Sequence, residues 1–257
     1  MIAIRRQTYT PPENVRTAAQ PLYAVGDVHG CYDLFRALLQ EISRDAGARS
    51  PDAVPLIILC GDYIDRGPDS AKVMSAIVWL LRSTAVDVRA LEGNHEAILR
   101  LFLDDPAGHG DWLRFGGRET LESYGVTVPA DAELSAATLV TLRDALLDAM
   151  PLSHDLVLRG LEPYVQLGDY LFVHAGVRPG VPLDRQVRDD LLWIREDFLD
   201  DAAPADAIVV HGHTWEDDLP VLLPHRLGID TGAYETGVLT AVRIDNGQVD
   251  VIQAVRR

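Results

Sequence analysis

Short segments rich in Asp, His and Asn follow several apolar runs in this 257-residue chain. Asp27 and His29 follow the first run, Asp62 follows the second, and Asn94 and His95 follow the third. Carboxylate and amide oxygens mixed with imidazole nitrogens suit divalent first-row metal ions. A carboxylate such as Asp62 has two oxygens and can therefore bridge two ions. These residue types predict a metal centre, provided that the fold brings the segments together.

The elements that must position these residues alternate between apolar runs and amphipathic segments. Residues 22–26, 56–60 and 86–91 are predicted as strands, and residues 32–46, 70–82 and a segment from about His95 as helices. This β-α-β-α-β order predicts an α/β sheet with helices outside. Ligands collect outside the carboxyl ends of strands in such sheets, so the three polar segments are expected to converge.

The remainder of the chain indicates one domain. Residues 111–150 are predicted to be mostly helical with a break at Pro129, and two hairpins are predicted over residues 164–174 and 238–255. We interpret residues 1–20 as a flexible N-terminal arm and residues 21–257 as a single catalytic domain.

Composition narrows the class of protein. The net charge of −16 disfavours a nucleic-acid partner, since such binding needs Lys and Arg against phosphates. No apolar stretch reaches 18 residues, which disfavours a membrane span. Cys31 and Cys60 adjoin apolar runs and are predicted to be reduced and buried in a cytoplasmic protein, with a single disulfide as the alternative.

Histidine ends two later apolar runs, at His174 and in the pair His211 and His213. The complete ordered set is GDVHG at residues 26–30, GDYIDRG at 61–67, GNHE at 93–96, HAG at 174–176 and GHT at 212–214. This set resembles the phosphoprotein phosphatase branch of the calcineurin-like metallophosphoesterase superfamily. The resemblance extends over residues 22–255. It is greatest to bacterial serine/threonine phosphatases, which share residues 192–196 and 229–233.

The resemblance implies a four-layer α-β-β-α sandwich and two divalent metal ions, with manganese preferred and iron or zinc as alternatives. It also implies a set of metal ligands in which Asp62 bridges the two ions. The first ion would be held by Asp27 and His29, and the second by Asn94, His174 and His213.

The resemblance further assigns His95 as a general acid that Asp65 orients, and Arg66 and Arg195 as residues that bind phosphate oxygens. Arginine suits this role because its planar fork matches two phosphate oxygens. The implied reaction is in-line attack by a metal-bridging hydroxide without a phosphoenzyme.

Several assignments retain alternatives. His211 is a rival of His213, since both project the same way from an extended strand. Arg178 is an additional candidate for phosphate binding, whereas Arg195 could instead lie in solvent on an amphipathic helix. Asp65 could simply pair with Arg66. The remaining histidines are interpreted as surface or loop residues: His109, His154 and His225.

Substrate is the least determined property. The leading prediction is a phosphatase that acts on phosphoserine and phosphothreonine in proteins and also accepts phosphotyrosine. The alternative enzyme is a dinucleoside polyphosphate hydrolase. The non-enzymatic alternative is a scaffold protein with a phosphatase fold. Relatives in the nuclease and phosphodiesterase branches carry a second histidine at the position of Trp215, which favours the phosphatase branch. The residues expected to separate the first two functions lie in residues 104–125 and in the loops after His174 and His213. Oligomeric state is not indicated.

Overall fold

The computed structural model describes residues 1–10, 20–130, 134–201, 205–245 and 247–257. The strands in this part of the chain are β1 Ile2–Tyr9, β2 Leu22–Val25, β3 Leu56–Leu59, β4 Asp87–Ala90, β5 Tyr164–Leu167, β6 Tyr170–Val173, β7 Ile208–His211, β8 Val221–Leu222, β9 Arg226–Gly228, β10 Val238–Asp245 and β11 Gln248–Arg256. The helices are α1 Tyr32–Arg49, α2 Ser70–Leu81, α3 Asn94–Asp104, α4 Gly117–Ser123, α5 Ala136–Ala149, α6 Leu152–Arg159, α7 Arg188–Trp193, α8 Glu196–Leu199 and α9 Ala233–Thr236, with a 3₁₀ helix at Gly110–Phe115.

The strands form two sheets. The first has the order β1-β11-β10-β2-β3-β4, in which β2, β3 and β4 are parallel and β10 runs antiparallel to β2. The second has the order β5-β6-β7-β9-β8, with β6, β7 and β9 parallel. Each sheet therefore contains three neighbouring parallel strands, and the loops that follow these strands lie at one edge of the sheet.

Three apolar layers separate four layers of secondary structure. Ala24 and Ile58 of the first sheet meet Phe172 and Val210 of the second between the two sheets. A second cluster covers the outer face of the first sheet with helices that include α1 and α2, and a third covers the outer face of the second sheet with α7 and α8. Every residue of β2, β3, β6 and β7 is buried, as expected for parallel strands covered on both faces. The predicted four-layer sandwich is confirmed.

The N-terminal residues differ from the flexible arm that the sequence predicts. Strand β1 pairs antiparallel with β11 along its whole length, from Ile2 opposite Arg256 to Tyr9 opposite Val249. Arg6 also binds Asp45 and Glu41, at 2.8 and 2.7 Å. The middle of this edge strand is exposed, so it lacks the apolar alternation that reveals a strand in a sequence. Residues 11–19 of the proposed arm lie outside the described residues.

Two smaller predictions concern buried polar groups. Cys31 and Cys60 are both free and buried, as predicted, and burial raises the pKa of the Cys31 thiol to about 11. His154, in contrast, is not a surface residue: it is buried in α6 and contacts the Tyr124 hydroxyl at 2.8 Å and Ser75 Oγ at 3.1 Å. Among the described residues, no helix combines the length and the apolar character needed to cross a membrane.

Candidate metal centre

Asp62, in the loop after β3, lies between two imidazoles at the carboxyl edge of the sheets. Its Oδ2 is 3.4 Å from His29 Nε2, and its Oδ1 is 3.5 Å from His174 Nε2. His29 follows β2 in the first sheet, whereas His174 follows β6 in the second. Each carboxylate oxygen of Asp62 thus faces a different imidazole, which is the arrangement that a bridging ligand requires.

Backbone carbonyls fix the orientation of both imidazoles. His29 Nδ1 lies 2.9 Å from the Ile64 carbonyl, and His174 Nδ1 lies 2.8 Å from the Cys60 carbonyl. A carbonyl only accepts hydrogen bonds, so each Nδ1 carries the proton and each Nε2 presents its lone pair toward Asp62. Burial lowers the pKa of His29 to about 3, which keeps this imidazole neutral and able to bind a metal ion.

Asn94 completes a second group of potential ligands at the start of α3. Its Oδ1 is 2.8 Å from His174 Nε2 and 2.9 Å from His213 Nδ1. Ligand atoms of Asp62, His174 and His213 lie within 4.8 Å of one another, as do those of His29, Asp62 and His95. Burial lowers the pKa of His213 to about 3, so this imidazole is also neutral and able to bind a metal ion. The two groups share Asp62.

Asp27 lies beside these groups with an unsatisfied oxygen. Its Oδ2 accepts a hydrogen bond from the His213 amide at 2.9 Å, whereas its buried Oδ1 has no hydrogen-bond partner among the residues that the structure describes. Burial and the charges of Asp230 and Asp62 raise the pKa of Asp27 well above its usual range. Buried polar atoms are normally paired, and crowded buried carboxylates are unfavourable unless a cation neutralises them. The donor set therefore fits divalent metal ions.

Glu96 holds the Asp62 loop, a role that the sequence did not reveal although this residue closes the GNHE motif. Its carboxylate accepts hydrogen bonds from the backbone amides of Asp62 at 2.9 Å, Tyr63 at 2.8 Å and Gly93 at 3.1 Å. Burial raises the pKa of Glu96 to about 8. The Glu96 bond to the Gly93 amide is one half of a capping box at the start of α3, since glycine has no side chain for the other half, and the three-residue spacing was the available signal.

The ligand loops have strained backbone conformations. In the described chain, the non-glycine residues with positive φ are all in this site: His29, Asp62, Asp65, Arg66 and His213, with φ between 42° and 72°. Such conformations cost on the order of 1–3 kcal/mol each and persist where the surroundings enforce them. Their concentration here indicates that side-chain placement takes precedence over local backbone preference.

His95 is oriented by a buried acid. Its Nδ1 lies 2.7 Å from Asp65 Oδ2, which also accepts a hydrogen bond from Trp112 Nε1 at 2.8 Å. Thr120 Oγ1 donates to the other Asp65 oxygen at 2.6 Å. Burial opposes a charge on His95, but Asp62 and the hydrogen bond to Asp65 outweigh it and raise the pKa of His95 to about 9. Trp112 and Thr120 were missed by the sequence reasoning because neither belongs to a motif.

Arg66 and Arg195 line the same cavity, of about 340 Å³, above the ligand groups. Arg66 contacts the Tyr234 hydroxyl and lies 3.4 Å from His95 Nε2. Arg195 lies between α7 and α8, outside either helix. Asp230 lines the cavity and accepts a hydrogen bond from the Gly232 amide at 2.9 Å, which braces this turn.

The alternative residues lie elsewhere. Arg178 is bound by Asp190, at 2.6 and 2.7 Å, and by Asp197 at 2.8 Å, and it does not line the cavity. His211 Nδ1 is 3.0 Å from the Gly212 carbonyl, and its other nitrogen faces Arg226. His211 is thus turned away from Asp62.

Metal uptake is expected to stabilise the protein. Adding Mn²⁺ to chelator-treated protein should raise the melting temperature. An ion that binds only the folded state adds about 2.7 kcal/mol to the free energy of unfolding when its free concentration is 100 times Kd. Differential scanning fluorimetry and equilibrium dialysis would measure the shift and the number of ions. Asp144→Asn, at a side chain that is 61% exposed on α5, is the control and should behave like wild type. An unchanged melting temperature with no ion retained would contradict this assignment.

Comparison with known proteins gives a consistent family and an informative set of relatives. The model of the calcineurin-like phosphoesterase family matches residues 20–250. The chain is 27% identical over 237 residues to an asymmetrical bis(5'-nucleosyl)-tetraphosphatase, PrpE, of Bacillus mycoides, covering 85% of this chain and 88% of the relative. It is 35% identical over 161 residues to a symmetrical bis(5'-nucleosyl)-tetraphosphatase of an Acidovorax species, covering 62% of this chain and 44% of that relative. The fold is similar to the crystal structure of a candidate diadenosine tetraphosphatase, with a TM-score of 0.56 and 20% identity over 95% of this chain and 98% of that one.

These relatives correct the predicted substrate. The superfamily prediction is confirmed, but the prediction of a phosphoserine and phosphothreonine phosphatase is wrong, because the similar curated proteins that match 85% of the chain include bis(5'-nucleosyl)-tetraphosphatases. The motifs describe the metal centre, and substrate choice depends on residues outside it. Trp215 in place of a second histidine is an argument against the nuclease and phosphodiesterase branches, but it does not distinguish a protein phosphatase from a tetraphosphatase.

Proposed function

The chain belongs to the calcineurin-like phosphoesterase family, and on this basis we propose that it is a metal-dependent hydrolase of bis(5'-nucleosyl) tetraphosphates. The observation that carries the substrate class is the similarity to PrpE tetraphosphatases along 85% of the chain. The cleavage expected from these relatives is asymmetrical, giving ATP and AMP from diadenosine tetraphosphate. The symmetrical relative matches over a smaller part of both chains.

We assign the metal ligands in two sets that share Asp62. The first ion would be held by Asp27 and His29 with Asp62, and the second by Asp62 with Asn94, His174 and His213. Support comes from the opposed oxygens of Asp62 and from Asp27 Oδ1, which is unpaired within the described part of the chain. When bound, the two ions would activate water and neutralise phosphate charge. Manganese is our first choice because the family resemblance implies it, although this mixture of oxygen and nitrogen donors also suits iron and zinc.

The other polar side chains of the cavity act on the substrate phosphates. Arg66 and Arg195 bind non-bridging oxygens of the polyphosphate, and their charge offsets the strongly acidic character of the chain, whose net charge is −16. His95 donates a proton from Nε2 to the departing oxygen, while Asp65 accepts the hydrogen bond from Nδ1 and fixes the ring.

Product analysis tests this function. Purified protein with Mn²⁺ is expected to convert diadenosine tetraphosphate to equal amounts of ATP and AMP, and chromatographic separation of nucleotides would measure both. A phosphoserine peptide assayed at the same concentration should release phosphate far more slowly. Formation of two equivalents of ADP would show that the cleavage is symmetrical and not asymmetrical. Formation of no nucleotide product would refute the proposal.

A further inference from the structure

Exposed aromatic side chains line the cavity above the candidate metal centre. Phe115 is 55% exposed and Trp193 is 44% exposed, although both are large apolar residues and both belong to the cavity wall. Single exposed aromatic residues are common on protein surfaces and need no explanation alone. Two of them on the wall of one small cavity that also holds charged side chains indicate a ligand with flat apolar parts.

Each of these aromatic residues belongs to a segment that carries, or packs against, one of the arginines of the cavity. Phe115 ends the 3₁₀ helix and precedes Gly116, whose carbonyl accepts a hydrogen bond from the Arg66 amide at 3.3 Å. Gly116 has a φ of 110°, and a Cβ there would lie 2.3 Å from Arg66 N, so a side chain at this position would separate the two segments. The close approach holds the segment that carries Phe115 against the Arg66 backbone.

Trp193 lies two residues before Arg195 in the chain, and both line the cavity. It ends α7, and its ring lies 6.1 Å from the His213 ring in an edge-on arrangement. Arg188, at the start of α7, binds Glu92 at 2.6 and 2.9 Å, and Glu92 directly precedes the GNHE segment. This ion pair ties α7 to the ligand loop and holds Trp193 at the cavity.

We propose that Phe115 and Trp193 are the nucleobase-binding residues of this enzyme, each stacking on a purine while Arg66 and Arg195 hold the intervening phosphates. The inference rests on the proposed function and adds the origin of its specificity. A dinucleoside polyphosphate has a base at each end of a polyanion, which matches two pairs of an arginine with an aromatic residue. Stacking is sequence-tolerant, so guanine and adenine dinucleotides are both expected to bind.

Competition experiments measure base recognition separately from hydrolysis. Diadenosine tetraphosphate and inorganic tetraphosphate would each be used as inhibitors of p-nitrophenyl phosphate turnover by the Mn²⁺ enzyme. Phe115→Ala and Trp193→Ala are each expected to raise the Ki of the dinucleotide roughly 10-fold and to leave the Ki of inorganic tetraphosphate unchanged. The variants Phe115→Tyr and Trp193→Phe, which keep a ring, should retain the wild-type Ki.

Trp79→Ala is the matched control, since Trp79 is 68% exposed on α2 and does not line this cavity. As a second measurement, ATP should quench tryptophan fluorescence in wild type and much less in Trp193→Phe. Equal rises in both Ki values, or an unchanged dinucleotide Ki together with unchanged quenching, would overturn the base-binding proposal. Base-dependent inhibition without release of ATP and AMP would instead refute the proposed function and leave base binding in place.

Discussion

Replacing His95 with asparagine is expected to lower kcat on the order of 10²–10⁴-fold while the protein still binds two metal ions. Asparagine keeps a polar group at the start of α3 but cannot donate a titratable proton to the leaving oxygen. The buried partners of Asp65, namely Trp112 and Thr120, remain in place, so the local structure should persist. Steady-state kinetics together with metal analysis of the purified variant would measure both quantities.

The size of this loss should depend on the leaving group. A phosphate leaving group carries negative charge more readily than an alkoxide, so the loss for diadenosine tetraphosphate should be near the lower limit. Phenyl phosphate should lose more rate than p-nitrophenyl phosphate, because its phenolate is the more basic leaving group. His225→Asn, in the loop between β8 and β9, is a control expected to retain wild-type rates. Equal losses for both aryl esters would assign His95 a structural role rather than that of an acid.

The first half of the site follows from simple rules applied to the sequence. Asp27, Asp62 and Asn94 each come after a short apolar run, and those runs form β2, β3 and β4, which are parallel neighbours. Parallel strands joined by helices must carry their following loops to one edge. The convergence of these residues was therefore predictable from periodicity, without knowledge of any contact.

Other features depend on contacts that leave no local pattern. Trp112 and Thr120 lie 47 and 55 residues after Asp65 in the sequence. Only the folded structure shows that both donate hydrogen bonds to its carboxylate. Strand β1 is exposed in its middle and is defined by pairing with the far end of the chain. The proposed base-binding residues, Phe115 and Trp193, are of types that are ordinary in a 3₁₀ helix or a short α-helix, so their sequence context does not single them out.

Replacing Asp62 with asparagine is expected to have the largest effect, because among the described residues this side chain alone belongs to both ligand groups. An amide has one acceptor oxygen instead of two and no negative charge, so it bridges two cations much more weakly than a carboxylate does. We expect about a 10⁴-fold loss of kcat/KM, since each metal contributes several kcal/mol to the transition state. The Mn²⁺-dependent rise in melting temperature should also disappear, and equilibrium dialysis should show fewer than two ions per chain.

The comparison with His95→Asn separates metal loss from loss of the acid. His95 and Asp62 are neighbours, with His95 Nε2 at 3.9 Å from Asp62 Oδ2 and the His95 amide donating to Asp62 Oδ1 at 3.1 Å. A general disturbance of this region would therefore change both variants in the same way. In the proposed arrangement, only Asp62→Asn loses ions, whereas both lose activity. If Asp62→Asn bound two ions with wild-type affinity, the bridging role would be refuted, and the ligand sets assigned around Asp62 would have to be replaced.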